Sequence, residues 1–428
     1  MAAAHFIKSL LHPTEISALI QYKFLRSSNI SKEIPFWSEK KIRCYQFLEK
    51  TSGSFALIIM ELEREYRDLV CMFYLVLRGM DTIEDDMTMP IDKKIPLLRT
   101  FHEKVSQKGW TFTENGQNEK DRQLLVEFDV VIDEFLLLTK ECQNIIIDIT
   151  KEMGNGMADY IEKTAYNKYN ILTIKEFDDY CYYVAGLVGI GLNDLFIATG
   201  AKVPYTSKNY KTITSMGIFL QKINILRDLT EDLMEKRRYW PKQIWSKYVE
   251  EIEELILPKN KMVSIYCLSE MIFNTLLHVI DCLNYLIKVN GEDMLIFGFA
   301  AKPLIVAYAT LALAFKNHAV FAVENSIKIR KGEIAKLVIQ CTDMHEVARL
   351  FEEYTIVIMK KNNDPLDPNF TNINIVGDQI LQWCKTNIPN KPNNKNSFNN
   401  KSTFIIIGFL IVFISLYFNR KTNLDMWG

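Results

Sequence analysis

Two acidic segments, each at the end of an apolar helical pattern, constrain the fold of this chain more than any other feature. The first contains Asp81 and Asp85, which on a helix are i,i+4 neighbours with Cβ atoms roughly 5–6 Å apart. The second places Asn224, Asp228 and Asp232 at successive i,i+4 positions. Because like charges at this spacing destabilise a helix, each segment predicts a neighbouring cation.

Oxygen ligands favour a hard cation such as Mg²⁺, which binds one or two carboxylates together with water and phosphate oxygens. If the two segments face each other across a helical bundle, they would hold two or three such ions and a diphosphate. The alternative interpretation is a pair of solvated acidic helix ends, in which Lys222 and Arg227 alternate with the acids. Leu226, Leu229 and Leu233 share the turns of the second segment, and this apolar content favours partial burial.

Composition predicts an all-α fold. The 428 residues are 48% hydrophobic and contain only 12 prolines and 17 glycines, so long stretches are free of helix breakers. A formal net charge of −1 provides no overall field for nucleic acid, and we expect no nucleic-acid partner. The eight cysteines lack C-x-x-C spacing and the first residues lack a secretory signal, so we expect reduced thiols in a cytosol-facing protein.

The helical pattern predicts one helix from Phe55 to about Asp85, capped by Ser54. Residues 107–121 are predicted to be a loop, and the pattern is helical again from 121 to 167. Gly154 and Gly156 lie inside this second stretch, where they would allow close contact between helices or access for a ligand. The glycine-rich run 186–191 follows no strand, so it predicts helix packing and not a phosphate-binding loop.

Two basic segments occur in the second half of the chain. Residues 235–245 are predicted to be a basic loop with aromatic anchors. The cluster 328–332 contains Lys328 and Arg330 and ends in Gly332, and on its pattern alone it is typical of a solvated helix C-terminus with a glycine cap.

The C-terminal region predicts a membrane anchor. We divide the chain into a catalytic domain at 1–370, an Asn/Lys/Pro-rich tether at 371–401, a transmembrane helix at 402–418 and a short polar tail at 419–428. Residues 402–418 carry no charge and would span roughly 25 Å, close to the ~27 Å core of the endoplasmic reticulum bilayer. A buried soluble helix is the alternative. Basic residues flank both sides, so the tail alone does not separate the endoplasmic reticulum from the outer mitochondrial membrane.

Several motifs in order resemble those of the squalene synthases, the farnesyl-diphosphate farnesyltransferases of the squalene/phytoene synthase family. They are DTIEDD at 81–86, YCYYVAGLVG at 180–189, NILRDLTED at 224–232, FYLVLR at 73–78, YWP at 239–241, KIRKG at 328–332 and the membrane tail. The resemblance implies an isoprenoid-synthase helical bundle around a central cavity. It also implies condensation of two farnesyl diphosphates to presqualene diphosphate, followed by NADPH-dependent reduction to squalene, the first committed step of sterol biosynthesis.

The resemblance assigns roles to individual residues. Mg²⁺ would be held by five carboxylates, Asp81, Glu84, Asp85, Asp228 and Asp232, and Asp86, one position off the first stripe, is expected to matter least. Tyr180 matches the tyrosine that assists proton removal during cyclopropane closure. Phosphate groups of diphosphate or NADPH would be bound by four cations, Arg78, Arg227, Lys328 and Arg330. Substrate contacts are expected from four polar residues, Ser52, Ser54, Gln221 and Asn224.

One departure from the family pattern stands at Gly53, where the family usually has a phosphate-binding arginine. Its absence removes a charge-assisted contact of about 1.5–3 kcal/mol if nothing replaces it, and Lys50 is a candidate replacement. Two alternatives therefore stay open: a phytoene- or dehydrosqualene-type coupling enzyme without a reductant, and a catalytically silent, membrane-tethered relative. We expect a monomer, anchored once in the endoplasmic reticulum membrane with its catalytic domain facing the cytosol.

Overall fold

The computed structural model describes residues 12–27, 33–53, 55–166, 171–203, 210–322 and 327–388. Every regular element in these ranges is helical, which confirms the all-α prediction. The predicted transmembrane helix at 402–418 and the substrate-binding candidate Ser54 lie outside the described residues.

Nineteen helices, numbered here in chain order, form the described fold. They are α1 (Pro13–Ser27), α2 (Glu39–Ser52), α3 (Phe55–Met60), α4 (Arg64–Asp85), α5 (Ile91–Lys104), α6 (Arg122–Val126), α7 (Phe128–Phe135), α8 (Lys140–Tyr166), α9 (Ile174–Cys181), α10 (Leu187–Ala198), α11 (Tyr210–Arg227), α12 (Leu229–Met234), α13 (Lys242–Trp245), α14 (Lys261–Leu276), α15 (Val279–Asn290), α16 (Met294–Ala314), α17 (Lys331–Gln340), α18 (Met344–Lys361) and α19 (Phe370–Asn387). A π-helical turn, Tyr182–Gly186, joins α9 to α10, and short 3₁₀ turns cover Ile34–Phe36, Ile252–Ile256, Pro258–Asn260 and His318–Phe321.

The single helix predicted from Phe55 to Asp85 is in fact two helices, α3 and α4. Glu63 has an extended backbone at φ −57° and ψ 152°, so the chain turns between them. Leu62 remains buried across this break, and its burial explains why the apolar spacing did not reveal the interruption. Within α4 the apolar stripe is buried as predicted, including Leu69, Phe73, Val76 and Met80.

Helices α5 and α8 approach each other closely at a glycine. A Cβ atom on Gly154 would lie 2.3 Å from the carbonyl oxygen of Leu98, a distance that no side chain tolerates. Gly191 on α10 similarly faces the ring of Phe73, which an added Cβ would approach to 2.6 Å. The predicted use of small residues for helix packing is therefore confirmed at both positions, and it brings α4, α8 and α10 around one interior.

Three further stretches are long and apolar enough to cross a membrane by length and composition. They are Ile174–Ala198, Pro258–Asn290 and Met294–Ala314, and 50%, 56% and 67% of their apolar windows are buried inside the bundle. Burial against other helices accounts for their composition, so in this fold they supply the core.

The predicted domain boundary at 371 is wrong. Helix α19 covers Phe370–Asn387 and buries Ile373, Val376, Ile380 and Cys384, which are spaced as one stripe of a helix. It packs against α18. The bundle therefore extends to α19, and any tether begins after it, where the asparagine-rich composition starts.

Candidate active site

The first acidic segment lies in the last turn of α4. Burial raises the pKa of Asp81 to about 7, with Arg78 opposing and Asp85 reinforcing the rise. Burial likewise raises the pKa of Glu84 to about 8, and the charges of Asp85 and Asp81 add to it. The fold thus gathers carboxylates in a place where their charge is costly, and a cation would relieve that cost.

The second acidic segment lies where α11 ends and α12 begins. Asp228 stands at the junction, and its two carboxylate oxygens accept hydrogen bonds from Arg227 at 2.7 and 2.5 Å. Asp232 is 6% exposed, and burial raises its pKa to about 7, against the effect of Arg237. Asn224 precedes Asp228 by one turn and is exposed, whereas Gln221 is half-buried.

The two acidic segments meet at Arg237. Its Nη2 donates a hydrogen bond to Asp232 Oδ1 at 2.9 Å, and its Nη1 lies 3.5 Å from Asp85 Oδ1. A single guanidinium spans the gap between them, so the segments face each other. Solvated, unrelated helix ends do not fit this geometry.

The donor set suits a hard divalent cation. Within the described ranges, no group of three or more His, Cys, Asp or Glu side chains is close enough to hold a metal by itself. The carboxylates instead stand on two sides of a gap bridged by Arg237. This arrangement fits Mg²⁺, which takes few protein ligands and completes its shell with water and phosphate oxygens.

Tyr180 is packed beside the first acidic segment. It is 4% exposed, and its hydroxyl donates a long hydrogen bond of 3.4 Å to Glu84 Oε1. Its position is set by α9, which begins with a capping box formed by Thr173 and Glu176. Burial raises the pKa of Tyr180 well above its usual value, so the phenol is neutral.

Arg78 lies one turn before Asp81 but is occupied by protein groups. Its Nη2 donates to the carbonyl oxygen of Thr51 at 3.2 Å, and its Nε lies 3.2 Å from Asp121. Next to Thr51, the hydroxyl of Ser52 donates to the carbonyl of Leu48 at 2.6 Å. In this structure Arg78 and Ser52 therefore donate to backbone carbonyls in the last turns of α2, beside the acidic segment.

The basic segment 328–332 precedes a helix and does not end one. Helix α17 begins at Lys331, which corrects the assignment of this segment to a glycine-capped C-terminus. Lys328 is exposed. Arg330 contacts Glu15 of α1 through Nη2 at 2.7 Å and Glu333 at 2.8 Å. The Arg330 guanidinium is therefore already paired with carboxylates in this structure.

Sequence patterns missed several residues of the site. Arg237 was only one of several charges in the basic loop 235–245. Lys94 is 5% exposed, and its Nζ donates to the carbonyl of Glu84 at 2.7 Å, so it neutralises the end of α4. Asp86 accepts hydrogen bonds from the backbone N–H groups of Thr88 and Gly116, at 2.9 and 2.8 Å, and thus holds a loop. No spacing rule joins these positions, because the contacts arise between elements.

Comparison with known proteins gives a consistent result. The family model for squalene/phytoene synthase matches residues 48–320. The chain is 45% identical to the squalene synthase of Schizosaccharomyces pombe over 381 residues, which is 88% of this chain and 81% of that protein. It is 42% identical to the squalene synthase of Candida albicans over 409 residues, 94% of this chain and 90% of that protein. A solved structure of TcSQS with the ligand E5700 superposes with a TM-score of 0.76 at 33% identity, covering 81% of this chain and 98% of that one.

Proposed function

Because the chain belongs to the squalene/phytoene synthase family and is similar over most of its length to squalene synthases, we propose that it makes squalene. It would join two farnesyl diphosphates head to head to presqualene diphosphate and then reduce this intermediate with NADPH. Similarity to squalene synthases implies metal-assisted catalysis and a reductant. The observation that carries the proposal is the meeting of the two acidic segments at Arg237.

Departure of diphosphate requires that its developing charge be neutralised. We assign Asp81, Glu84, Asp85, Asp228 and Asp232 as the carboxylates that hold Mg²⁺. When bound, Mg²⁺ supplies a positive charge to the leaving phosphate oxygens. Arg237 and Arg227 lie among these carboxylates, so they are placed to exchange a carboxylate for a phosphate oxygen. The substrate's polar contacts are proposed to come from four residues, Gln221, Asn224, Ser52 and Ser54.

Tyr180 is the proposed group for proton removal as the cyclopropane ring closes. Its buried hydroxyl would accept that proton on oxygen and pass its own hydrogen to Glu84 Oε1, 3.4 Å away, so that no charge is left on the phenol. Such burial also limits water near the reacting carbons, which matters because water quenches carbocations.

The reductive half-reaction needs NADPH, which supplies a hydride when bound. We assign Arg78, Lys328 and Arg330 to its phosphate groups. For Arg330 this requires exchange of Glu15 for a phosphate, since both oxygens of that carboxylate lie within 3.2 Å of the arginine Nε. The arginine–carboxylate and arginine–phosphate contacts are both charge-assisted hydrogen bonds, so the exchange replaces one strong contact of Arg330 with another.

The predicted tail at 402–418 suits an enzyme whose product is a hydrocarbon. We propose a single-pass tail anchor in the endoplasmic reticulum membrane, with the helical bundle in the cytosol as a monomer. A fluorescent fusion of the full chain, compared with one that ends at residue 401, tests this. Reticular fluorescence that becomes diffuse without the tail is expected, and unchanged membrane localisation would contradict the anchor.

The product assay tests the whole proposal. The full chain in detergent is incubated with farnesyl diphosphate and Mg²⁺, with and without NADPH. We expect presqualene diphosphate without NADPH and squalene with it. A hydrocarbon formed without NADPH would favour a phytoene- or dehydrosqualene-type enzyme. Absence of both products, with weak calorimetric binding of a diphosphate analogue in Mg²⁺, would identify a silent relative.

A further inference from the structure

The guanidinium of Arg78 is held away from the acid that follows it on its own helix. Arg78 and Asp81 are i,i+3 neighbours on α4, a spacing at which oppositely charged side chains ordinarily pair. Here Arg78 Nη1 is 3.9 Å from Asp81 Oδ2, which is beyond hydrogen-bond distance. Its Nε lies 3.2 Å from Asp121 Oδ2, and its Nη2 donates to the carbonyl of Thr51. The Asp81 carboxylate therefore receives no hydrogen bond from this arginine.

Asp121, which directly precedes α6, is a buried carboxylate with one cation beside it. It is 4% exposed, and in the described part of the chain Arg78 is the only cation within ion-pair distance of it. Its side chain does not cap α6, and its Oδ1 has no hydrogen-bond partner among the described residues. A buried charge is costly unless it is paired, so the pairing with Arg78 is the contact that this carboxylate contributes.

The position of Arg78 matters because a guanidinium and a metal ion compete for the same oxygens. A carboxylate that pairs closely with an arginine offers fewer lone pairs to a divalent cation, and the charge of the arginine repels that cation. The contacts to Asp121 and to the carbonyl of Thr51 hold the guanidinium at its distance from Asp81. Asp121 thus affects the acidic segment through the arginine.

We propose that Asp121 is a positioning residue, which draws Arg78 away from Asp81 and leaves the Asp81 carboxylate available to a divalent cation. This inference rests on the proposed function, which assigns Asp81 to Mg²⁺. Asp121→Asn removes the charge and keeps the shape, and its amide oxygen can still face Arg78. Among the described residues Asp81 is then the only carboxylate within ion-pair distance of Arg78, so the guanidinium is expected to move towards it.

The test measures metal binding directly, with Mn²⁺ as a paramagnetic probe and a non-reactive diphosphate analogue added to the full chain in detergent. In Asp121→Asn we expect the Kd for Mn²⁺, read by electron paramagnetic resonance, to rise about tenfold, the equivalent of one charge-assisted contact. The Mg²⁺ concentration for half-maximal presqualene diphosphate formation should rise by a similar factor, with kcat at saturating Mg²⁺ retained. Equal Mn²⁺ affinity in the variant and the wild type would overturn the proposal.

Glu127→Gln is the matched control. Glu127 follows α6 and accepts hydrogen bonds from Arg43 of α2 at 2.7 and 2.8 Å, so it too is an acid of this region paired with an arginine. The substitution again removes a carboxylate charge and weakens a contact between elements, but it leaves the pair of Arg78 and Asp121 in place. We expect unchanged Mn²⁺ affinity. A rise in the Kd as large as that of Asp121→Asn would assign both effects to general loosening of the fold and refute the positioning role.

A second substitution separates movement of Arg78 from a simple loss of negative charge near the metal. Arg78→Met in the Asp121→Asn background removes the competing guanidinium and leaves no unpaired charge of this pair in the interior. Mn²⁺ affinity should then recover, because the two residues act through one contact. Affinity that stays low would show that Asp121 acts by its own charge and not through Arg78.

The same titration distinguishes this inference from the proposed function. A wild type that binds no Mn²⁺ in the presence of the analogue contradicts the assignment of the acidic segments to a metal. A wild type that binds Mn²⁺, with an Asp121→Asn variant that binds it equally well, refutes only the role of Asp121.

Discussion

Asp85 and Asp232 belong to different acidic segments, yet they share one guanidinium. Arg237 reaches Asp85 Oδ1 with Nη1 at 3.5 Å and Asp232 Oδ1 with Nη2 at 2.9 Å. The Arg237 guanidinium therefore lies between carboxylates of the two segments. Both acidic segments thus share one positive charge that the protein itself supplies.

Asp81→Asn or Asp228→Asn is expected to abolish coupling, with a loss of at least about 10²-fold in kcat, comparable to removing one preorganised electrostatic contact. The amide is a weaker ligand for Mg²⁺ and carries no charge. Product formation and the circular dichroism spectrum are measured together, and the helical signal should be retained. Normal turnover in either variant would show that these carboxylates do not hold the metal.

Asp86→Asn provides the control within the same segment. Asp86 is 1% exposed and accepts from Thr88 and from the N–H of Gly116. An amide N–H₂ facing the Gly116 N–H would leave donors unpaired, at a cost of about 1–3 kcal/mol. We expect reduced stability in urea with turnover preserved at low temperature. Loss of Mg²⁺-dependent turnover without destabilisation would instead make Asp86 a ligand.

Lys94→Met is expected to lower the free energy of unfolding by about 1–3 kcal/mol, the cost of an unpaired buried acceptor. The methionine fills the space but leaves the Glu84 carbonyl, which accepts from Lys94 at 2.7 Å, without its donor. Lys93→Met is the matched control, because Lys93 is 46% exposed and paired with Glu114 at the surface, where about 0–1 kcal/mol is expected. Equal urea midpoints for the two variants would contradict a structural role for Lys94.

The acidic stripes were predictable from the sequence because helical periodicity places Asp81 and Asp85, or Asp228 and Asp232, on one face. The all-α fold followed from the scarcity of helix breakers. Arg237 and Lys94 were not predictable, since their partners lie on other elements and a single basic residue has no period. The break at Glu63 was not predicted because the apolar spacing continues through it. The packing of α19 was not predicted because its asparagine-rich composition resembles that of the tether.

Glu15→Gln is expected to lower the KM for NADPH several-fold, because the glutamate competes with phosphate for Arg330. Three contacts between the two residues, at 2.7–3.2 Å, join them in the structure. Presqualene diphosphate formation without NADPH should be unchanged and serves as the internal control. An unchanged KM for NADPH would show that Arg330 does not bind the cofactor phosphate.

Gly53→Arg combines a backbone cost with a possible gain in binding. Gly53 has φ +56° and, among the described residues, no heavy atom lies within 4 Å of an added Cβ. Any side chain there should cost about 1–3 kcal/mol of stability, and Gly53→Ala measures this cost alone. If the arginine restores a charge-assisted contact of about 1.5–3 kcal/mol, the KM for farnesyl diphosphate falls at least about tenfold. Equal KM values for the two variants would show that the position does not reach the substrate.

Lys222 forms a buried polar cluster next to the second acidic segment. Its side chain is fully buried, and its ammonium contacts Asp178 Oδ1 at 2.5 Å, Asn274 Oδ1 at 2.6 Å and His278 Nε2 at 2.8 Å. The imidazole nitrogen accepts this hydrogen bond only when it is unprotonated. This one lysine joins helices α9, α11 and α14 to His278, the N-cap residue of α15.

His278 gives the fold a defined pH dependence. Burial, reinforced by Lys222, lowers the pKa of His278 from 6.5 to about 3, so below pH 6.5 the unfolded chain binds a proton that the folded chain refuses. Above pH 6.5 this group therefore leaves the free energy of unfolding unchanged. Between pH 6.5 and pH 3 it lowers the free energy of unfolding by about 1.4 kcal/mol for each unit by which the pH falls. His278→Gln keeps an acceptor for Lys222 and removes the titration. Urea midpoints measured across this range should fall less steeply in the variant, and parallel slopes would show that His278 is protonated in the folded protein.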